Sequence, residues 1–207
     1  GLFPDVGASY YLSRCPEMIG LYLALSGREI NAHVAKECGL VQHVVSSDSL
    51  REIEKGIINA SMQSDPCQVV TDIIDKYTRD KEELGLAEHY PSIRRCFSQH
   101  GVESIIQALE LEGNPWCDEL LQDFKKCSPT SLKVVYEQYH GVLDLSFDDI
   151  IEQDLKLMSA FLKGGDVFEG IRALIVDKDN QPRWNPDSLV GVSEDKVKSY
   201  FYSQIPI

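Results

Sequence analysis

The first ten residues of this chain hold an acidic side chain in a tight turn. They read Gly1-Leu2-Phe3-Pro4-Asp5-Val6-Gly7-Ala8-Ser9-Tyr10. Pro4 fixes one backbone angle, Asp5 can accept hydrogen bonds from the amides that follow, and Gly7 allows close approach to a ligand or a helix. The pattern fits both a turn that approaches a ligand and a helix start capped by Asp5. Taken alone, it favours the helix start.

Other ionisable side chains give weaker signals for chemistry. Glu169 has the spacing to cap a helix that begins near Val167, and we expect that structural role for it rather than catalysis. The six cysteines contain no C-x-x-C pair and no metal-like grouping with the five histidines. We therefore expect no metal and no resident cofactor, with thiols that are core or surface residues in a reducing compartment.

Composition and charge exclude several classes of partner. The chain is 43% hydrophobic and 26% charged, which is ordinary for a globular domain, or part of one, with a core. Its net charge of -13 at pH 7 repels phosphate backbones and anionic lipid surfaces. No apolar run approaches the roughly 18 residues that cross a bilayer. We expect neither nucleic acid nor a membrane among the partners.

Helix signals dominate the chain and supply the elements that must hold Asp5 in place. Capping residues, prolines and glycines delimit apolar stripes with helical spacing. The predicted helices are Pro16–Leu25, Asn31–Cys38, one capped by Ser49 with Glu52, one from Asp65-Pro66 to Tyr77, Val102–Leu109, Pro115–Phe124, Pro129–Tyr139, Ser146–Leu162, one capped by Asp166 with Glu169, and one capped by Ser193. The charged run Arg79–Glu83 is predicted to be a solvated connector.

One segment, Leu40–Val45, is typical of a strand because it is short and rich in Val. An isolated strand is not stable by itself, so we expect this one to pair with strands outside the chain. Gly1 also stands in a predicted loop, with no initiating Met. Both features lead us to expect the C-terminal piece of a longer fold.

An ordered series of motifs over about forty residues resembles the signature of the crotonase superfamily. The matching segments are Gly1–Gly7, Leu12 with Arg14, Leu23–Gly27, Ile30–Ala32 and Gly39–Val41. Phe3 and Asp5 are similar to the 3-hydroxyisobutyryl-CoA hydrolase branch, whose loop reads G-L-F-P-D-V-G. Later segments resemble that branch too, namely Ser128–Lys133, Phe168–Ala173, Asp177–Asp179 and Pro182–Trp184.

The resemblance implies an α/β fold of the ClpP/crotonase spiral type, of which this chain is the mainly helical C-terminal part. Residues 1–45 would then be the end of the crotonase core, with the active-site loop, two helices and one strand. Residues 46–207 would be the helical C-terminal region of the same domain.

The activity that the resemblance implies is hydrolysis of 3-hydroxyisobutyryl-CoA to 3-hydroxyisobutyrate and CoA in valine breakdown. Asp5 matches the family's loop Asp, which orients the substrate hydroxyl or assists water, and substrate-binding positions are expected at Leu2, Phe3, Pro4 and Gly7. The family's catalytic Glu lies eight residues before that Asp, and its two oxyanion-binding amides lie further upstream. Both fall before Gly1, so we expect this polypeptide alone to have negligible thioesterase activity.

Partners and compartment follow from the same resemblance. The partners expected are an acyl-CoA substrate and a second copy of the chain in a homo-oligomer, and the compartment is mitochondrial, with peroxisomal or cytosolic alternatives. Because the family's C-terminal helices lie over or beside the acyl-CoA pocket, the resemblance makes Arg172, Lys178 and Arg183 candidates for contact with CoA phosphates, but a solvated surface is the commoner fate of such residues.

Two other functions remain open at the level of sequence. An enoyl-CoA hydratase or isomerase requires the same fold but usually has a different residue where Asp5 stands. A non-catalytic hydrolase-like interaction protein, such as a component of the mitochondrial ribosome, is compatible with the acidic charge through protein contacts but not through RNA contacts.

Overall fold

The computed structural model describes residues 1–61, 65–78 and 85–203. Most of them lie in α-helices, numbered here in chain order. These are α1 (Ala8–Leu12), α2 (Ile19–Ser26), α3 (Ala32–Glu37), α4 (Leu50–Asn59), α5 (Pro66–Asp75), α6 (Tyr90–Phe97), α7 (Val102–Glu112), α8 (Pro115–Phe124), α9 (Pro129–Gly141), α10 (Phe147–Gly164), α11 (Asp166–Ile171) and α12 (Glu194–Phe201). Short 3-10 turns occupy Ser47–Ser49, Ala87–His89 and Leu189–Gly191, and a π-helical turn follows α11 at Arg172–Val176.

The chain divides into two compact units. One is formed by Gly1–Glu29 together with His89–Ile207, and the other by Ile30–Glu88. In the second unit α4 packs against α5, and the His43 Nδ1 atom lies 3.0 Å from Asp75 Oδ1. The boundary that the sequence predicted at residue 45 falls inside this second unit.

Leu40–Val45 does not form a strand by itself within the described residues, and its pairing with strands outside the chain stays a prediction. Val45 forms one isolated antiparallel bridge with Thr78, and no strand ladder develops anywhere in the described residues. A strand is stable only when a neighbour offers a row of backbone donors and acceptors, and one bridge does not supply that row.

Helix α2 is the centre of the first unit. It packs against α1, α6, α8 and α9, and its residues Ile19 and Leu21 are fully buried. Its Tyr22 ring meets the Phe97 ring edge to face, with centroids 5.7 Å apart. A helix that is apolar on all sides is expected to be enclosed in this way. On the other side of the unit, α10 packs against α11 and α12.

Several predicted helix starts are confirmed at the level of individual atoms. The Asn31 side chain accepts a hydrogen bond from the Val34 amide, and the Ser193 hydroxyl accepts one from the Lys196 amide. Ser146 and Asp149 form the predicted capping box at the start of α10. These caps depend only on residues within one turn, which is why the sequence predicts them.

Two predicted caps are wrong, and one helix was outside the predicted set. Ser49 makes no side-chain cap, because the chain enters α4 through a 3-10 turn that is capped by Ser46. Gly165, not Asp166, is the N-cap of α11. Helix α6 was not among the predicted helices, and the connector predicted at Arg79–Glu83 lies outside the described residues.

A charged cluster fixes the segment that follows α11. The Arg172 guanidinium donates two hydrogen bonds to the Glu169 carboxylate, at 2.8 and 2.9 Å, and further bonds to Asp177 and Asp179. Glu169 also accepts the backbone N–H of Arg183 at 2.6 Å. The hydrogen bonds from Arg172 and then from Arg183 lower the pKa of Glu169 to about 2. Glu169 therefore has a structural role, but as an anchor rather than the predicted cap.

Replacement of Gly20 by Ala is expected to destabilise the first unit. A Cβ at this position would overlap the Leu12 carbonyl oxygen, where α1 crosses α2. Overpacking of this kind typically costs roughly 1–3 kcal/mol. Gly141→Ala is the matched control, because it is also helical but its Cβ would have nothing within 4 Å. Urea denaturation should show a large loss of unfolding free energy for G20A and no loss for G141A. Equal midpoints for the two variants would contradict this packing.

Glu169→Gln should destabilise the protein at pH 7 but not at low pH. Because folding lowers the pKa of Glu169 from 4.5 to about 2, its stabilising contribution is complete above pH 4.5 and is lost as the pH falls toward 2. Urea midpoints of wild type and E169Q should therefore converge between those values. Glu194→Gln, which removes an exposed ion pair with Lys198, should shift the midpoint much less at pH 7. A pH-independent difference between wild type and E169Q would contradict the assignment.

Candidate functional site

The loop that carries Asp5 is anchored on its N-terminal side by an aromatic contact. Phe3 is 5% exposed, and its ring stacks on Phe161 of α10 with centroids 5.1 Å apart and planes inclined by 20°. Leu2, one residue earlier, is exposed. The chain therefore enters the loop with one side chain in the core and its neighbour at the surface.

The loop turns through two residues in the left-handed region. Val6 has φ 57° and Gly7 has φ 76°. A β-branched residue rarely adopts such an angle, which costs roughly 1–2 kcal/mol, so surrounding contacts must hold the turn. At Gly7 a Cβ atom would also collide with the Phe147 ring. Glycine is thus required there both by backbone angle and by space.

Buried hydrogen bonds from two helices supply the restraint. The Gly7 amide donates to Asp154 Oδ2 at 2.8 Å. The Gln138 side-chain amide donates to Asp154 Oδ1 at 3.0 Å and to the Pro4 carbonyl oxygen at 3.2 Å. Asp154 is 6% exposed and Gln138 is 1% exposed. Helices α9 and α10 therefore each hold the backbone of the loop, one residue before Asp5 and two residues after it.

Burial changes the pKa of the Asp154 carboxyl group. Desolvation raises its pKa above the ordinary value, and the negative charge of Asp5 raises it further. The hydrogen bonds from Gly7 and Gln138 act in the opposite direction, because they stabilise the charged form. Asp154 therefore binds the loop only two residues from a second carboxylate, that of Asp5.

Asp5 itself is partly exposed and does not cap a helix. Its backbone carbonyl accepts the Ala8 N–H at 3.0 Å, and the N-cap of α1 is Gly7, with no side-chain cap. The interpretation that α1 is capped by Asp5 is therefore wrong, since the left-handed turn at Gly7 directs the main chain, not the carboxylate, to the helix start. Among the described residues the Asp5 carboxylate has no hydrogen-bond partner, so it is available to a ligand.

An apolar groove adjoins the same loop. It encloses about 430 Å³, a size typical of small-molecule sites. Leu2 contributes to its wall, with residues of α11 and the segment after it, among them Val167, Ile171, Leu174 and Trp184. The other expected substrate-binding positions are placed differently, because Phe3 and Gly7 are buried and Pro4 is held by Gln138.

The basic residues proposed for CoA phosphates are not equivalent. The Arg172 guanidinium is occupied by three carboxylates, which leaves it poorly placed to bind a phosphate. Lys178 and Arg183 are exposed beside that cluster. Lys126 lines the apolar groove, and its Nζ atom lies 3.3 Å from Asp123 Oδ1.

Metal-binding clusters and membrane-spanning helices are both absent from the described residues. No group of three or more His, Cys, Asp or Glu side chains there is arranged to hold a metal ion. Within the same residues, no helix has both the length and the apolar character of a membrane span.

Sequence reasoning did not single out Asp154 and Gln138, although a signal was present. Asp154 lies on the apolar stripe of α10, four residues after the buried Ile150 and three before the buried Leu157. Gln138 likewise follows the buried Val134 and Val135 on α9. A polar residue at a core position of a helix must find a buried partner. The sequence does not say that the partner is the Asp5 loop.

Comparisons with known proteins agree with the resemblance seen in the sequence. A family model described as Enoyl-CoA hydratase/isomerase matches residues 1–201. A mitochondrial 3-hydroxyisobutyryl-CoA hydrolase of Xenopus tropicalis is 35% identical over 209 residues, which are 98% of this chain and 54% of that protein. The hydrolase of the same name from Dictyostelium discoideum is 36% identical over 206 residues. The matched region is 97% of this chain and 53% of that protein. The chain thus spans about half the length of the curated relatives it matches.

Solved structures with the same fold have the same partial overlap. A carnitinyl-CoA dehydratase from Mycobacterium thermoresistibile superposes with a TM-score of 0.86 and 31% identity, covering 97% of this chain and 56% of its own. An enoyl-CoA hydratase from Rhodobacter sphaeroides superposes with a TM-score of 0.83 at 24% identity, covering 98% of this chain and 57% of its own. At this identity the likeness supports the fold alone. The predicted fold, the helical C-terminal part of a crotonase fold, is confirmed. Because a family model matches nearly its whole length, the chain belongs to the enoyl-CoA hydratase/isomerase family.

Proposed function

We propose that this chain forms the Asp5-bearing part of a mitochondrial hydrolase that cleaves 3-hydroxyisobutyryl-CoA. One observation carries the proposal: hydrogen bonds from the buried residues Asp154 and Gln138 fix the backbone on both sides of Asp5, while the Asp5 carboxylate has no hydrogen-bond partner among the described residues. A carboxylate whose backbone is fixed, and which has no hydrogen-bond partner in the protein, is suited to contact a substrate. The relatives named as this hydrolase, and the loop sequence Gly1–Gly7, support the choice of substrate.

The role proposed for Asp5 is to orient the substrate. An ionised carboxylate accepts a hydrogen bond from the 3-hydroxyl group of the acyl chain, or from the water that completes hydrolysis. Either contact fixes the thioester carbonyl relative to its attacking group. The family's Glu and its two oxyanion-binding amides, which the resemblance places before Gly1, would carry out attack and stabilise the charge that forms on the carbonyl oxygen.

The groove beside Leu2 is proposed to receive an apolar portion of the acyl-CoA. Its walls are mainly apolar, and Leu2 joins it to the loop of Asp5. CoA carries negative phosphates, whereas the chain has a net charge of -13, so a local cation has to compensate. Lys126 at the groove is the side chain proposed for that contact.

A fusion protein tests the activity. The part of the Xenopus tropicalis hydrolase that precedes its match to Gly1 would be joined to this chain, and CoA release from 3-hydroxyisobutyryl-CoA would be measured with a thiol reagent. We expect turnover by the fusion and only background release by the 207-residue polypeptide alone, because each oxyanion donor contributes a factor of about 10²–10³. Rapid turnover by the polypeptide alone, or hydration of an enoyl-CoA by the fusion instead, would contradict the proposal.

Asp5→Asn in the same fusion tests the role of the carboxylate. We expect kcat to fall by a factor of about 10² or more, which is usual for loss of an acid–base or orienting group. Thermal stability should be unchanged or slightly higher, because the substitution removes a negative charge beside buried Asp154. Asp144→Asn, on the exposed turn before α10, is the matched control and should leave kcat unchanged. Full activity of D5N would exclude Asp5 from the site.

A further inference from the structure

Two side chains outside the loop touch its backbone on both sides of Asp5. Gln138 on α9 binds the Pro4 carbonyl oxygen at 3.2 Å, and Asp154 on α10 binds the Gly7 amide at 2.8 Å. The same Gln138 nitrogen also donates to Asp154 at 3.0 Å. The loop and the two helices are thus joined in one continuous hydrogen-bonded chain that encloses Asp5 without contacting its carboxylate.

The chemistry of this arrangement requires a carboxylate at position 154. Both groups that face it, the Gly7 N–H and the Gln138 side-chain amide, are donors. An ionised carboxylate offers an acceptor to each of them, whereas an amide of the same shape offers only one oxygen. Desolvation and the charge of Asp5 both oppose ionisation of Asp154, so general stability does not explain a charged group at this place.

The turn that these contacts hold is not stable through its own backbone angles and packing. Val6 and Gly7 both have positive φ angles, and the Val6 side chain is 79% exposed, so it gains little from packing. If the Gly7 amide lost its acceptor, the turn could relax toward ordinary backbone angles and carry Asp5 with it. The direction of the Asp5 carboxylate therefore depends on groups more than 130 residues away in sequence.

We propose that Asp154 and Gln138 are positioning residues for the reaction, which hold the backbone of the Asp5 loop in the geometry that directs the Asp5 carboxylate at the substrate. This inference rests on the proposed function for its catalytic consequence. Its structural part, the dependence of the loop on Asp154, is independent of any activity.

The structural part is tested on the 207-residue chain by NMR. The Gly7 amide proton should titrate with the Asp154 carboxyl group, because the two share a hydrogen bond, and Asp154→Asn should abolish that titration. Gln138→Met keeps the side-chain volume but removes the donor, so the Gly7 titration should move to higher pH. Asp148→Asn, at an exposed position in the first turn of α10, is the control and should leave Gly7 unchanged. The inference would be overturned if the chemical shift of the Gly7 amide proton did not change as Asp154 titrates.

The catalytic part is tested by kinetics on the fusion protein. D154N should lower kcat by at least tenfold while KM stays within about twofold, because the substrate still binds but Asp5 is misdirected. D148N should match wild type. A kcat of D154N within twofold of wild type would overturn the positioning role. An inactive wild-type fusion would count against the proposed function, and the Gly7 titration would then still decide whether Asp154 holds the loop.

Discussion

The buried carboxylate of Asp154 is the constraint on which the geometry of the Asp5 loop depends. Two donors, the Gly7 amide and the Gln138 side chain, lie 2.8 and 3.0 Å from its oxygen atoms, and both hydrogen bonds favour its charged form. In return it stabilises a turn whose backbone angles are unfavourable for Val6. Helices α9 and α10 both pack against α1 and α12, and the stacking of Phe3 on Phe161 holds the loop against α10 from its other end.

The parts of the fold that sequence predicts are those whose causes are local. The capping box of Ser146 and Asp149 and the cap by Asn31 depend on residues three positions apart, so the pattern alone is sufficient. Leu40–Val45 forms only one isolated bridge in this chain, because a strand needs a pairing partner that one segment does not specify. Asp166 does not cap α11, since the Ser128 hydroxyl and the Asn185 amide bind its carboxylate instead.

The candidate site divides in the same way. Asp5 is identified through a loop motif of seven consecutive residues, which resembles a known family. Asp154 and Gln138 are separated from it by more than 130 residues, and only the folded chain shows that they meet the loop. Their sequence signal, a polar residue on an apolar helical stripe, predicts a buried hydrogen bond without naming the partner.

The charged cluster around Arg172 and the apolar groove beside Leu2 have separate roles. The Arg172 guanidinium is neutralised by carboxylates of its own segment, so it stabilises the turn after α11 instead of binding a phosphate. The groove beside Leu2 is mainly apolar, and Lys126 is the cation in its lining. The site as described thus places the carboxylate of Asp5, on a loop whose backbone is held, beside an apolar groove, and pockets of this kind are typical of small-molecule sites.

The most direct test of this account is a crystal structure of the fusion protein with a non-hydrolysable 3-hydroxyisobutyryl-CoA analogue. We expect the 3-hydroxyl oxygen to lie at hydrogen-bonding distance, about 2.6–3.2 Å, from the Asp5 carboxylate, with the hydrogen bond from Gly7 to Asp154 intact. An analogue bound with its hydroxyl group remote from Asp5, or with Asp5 facing only solvent, would contradict it.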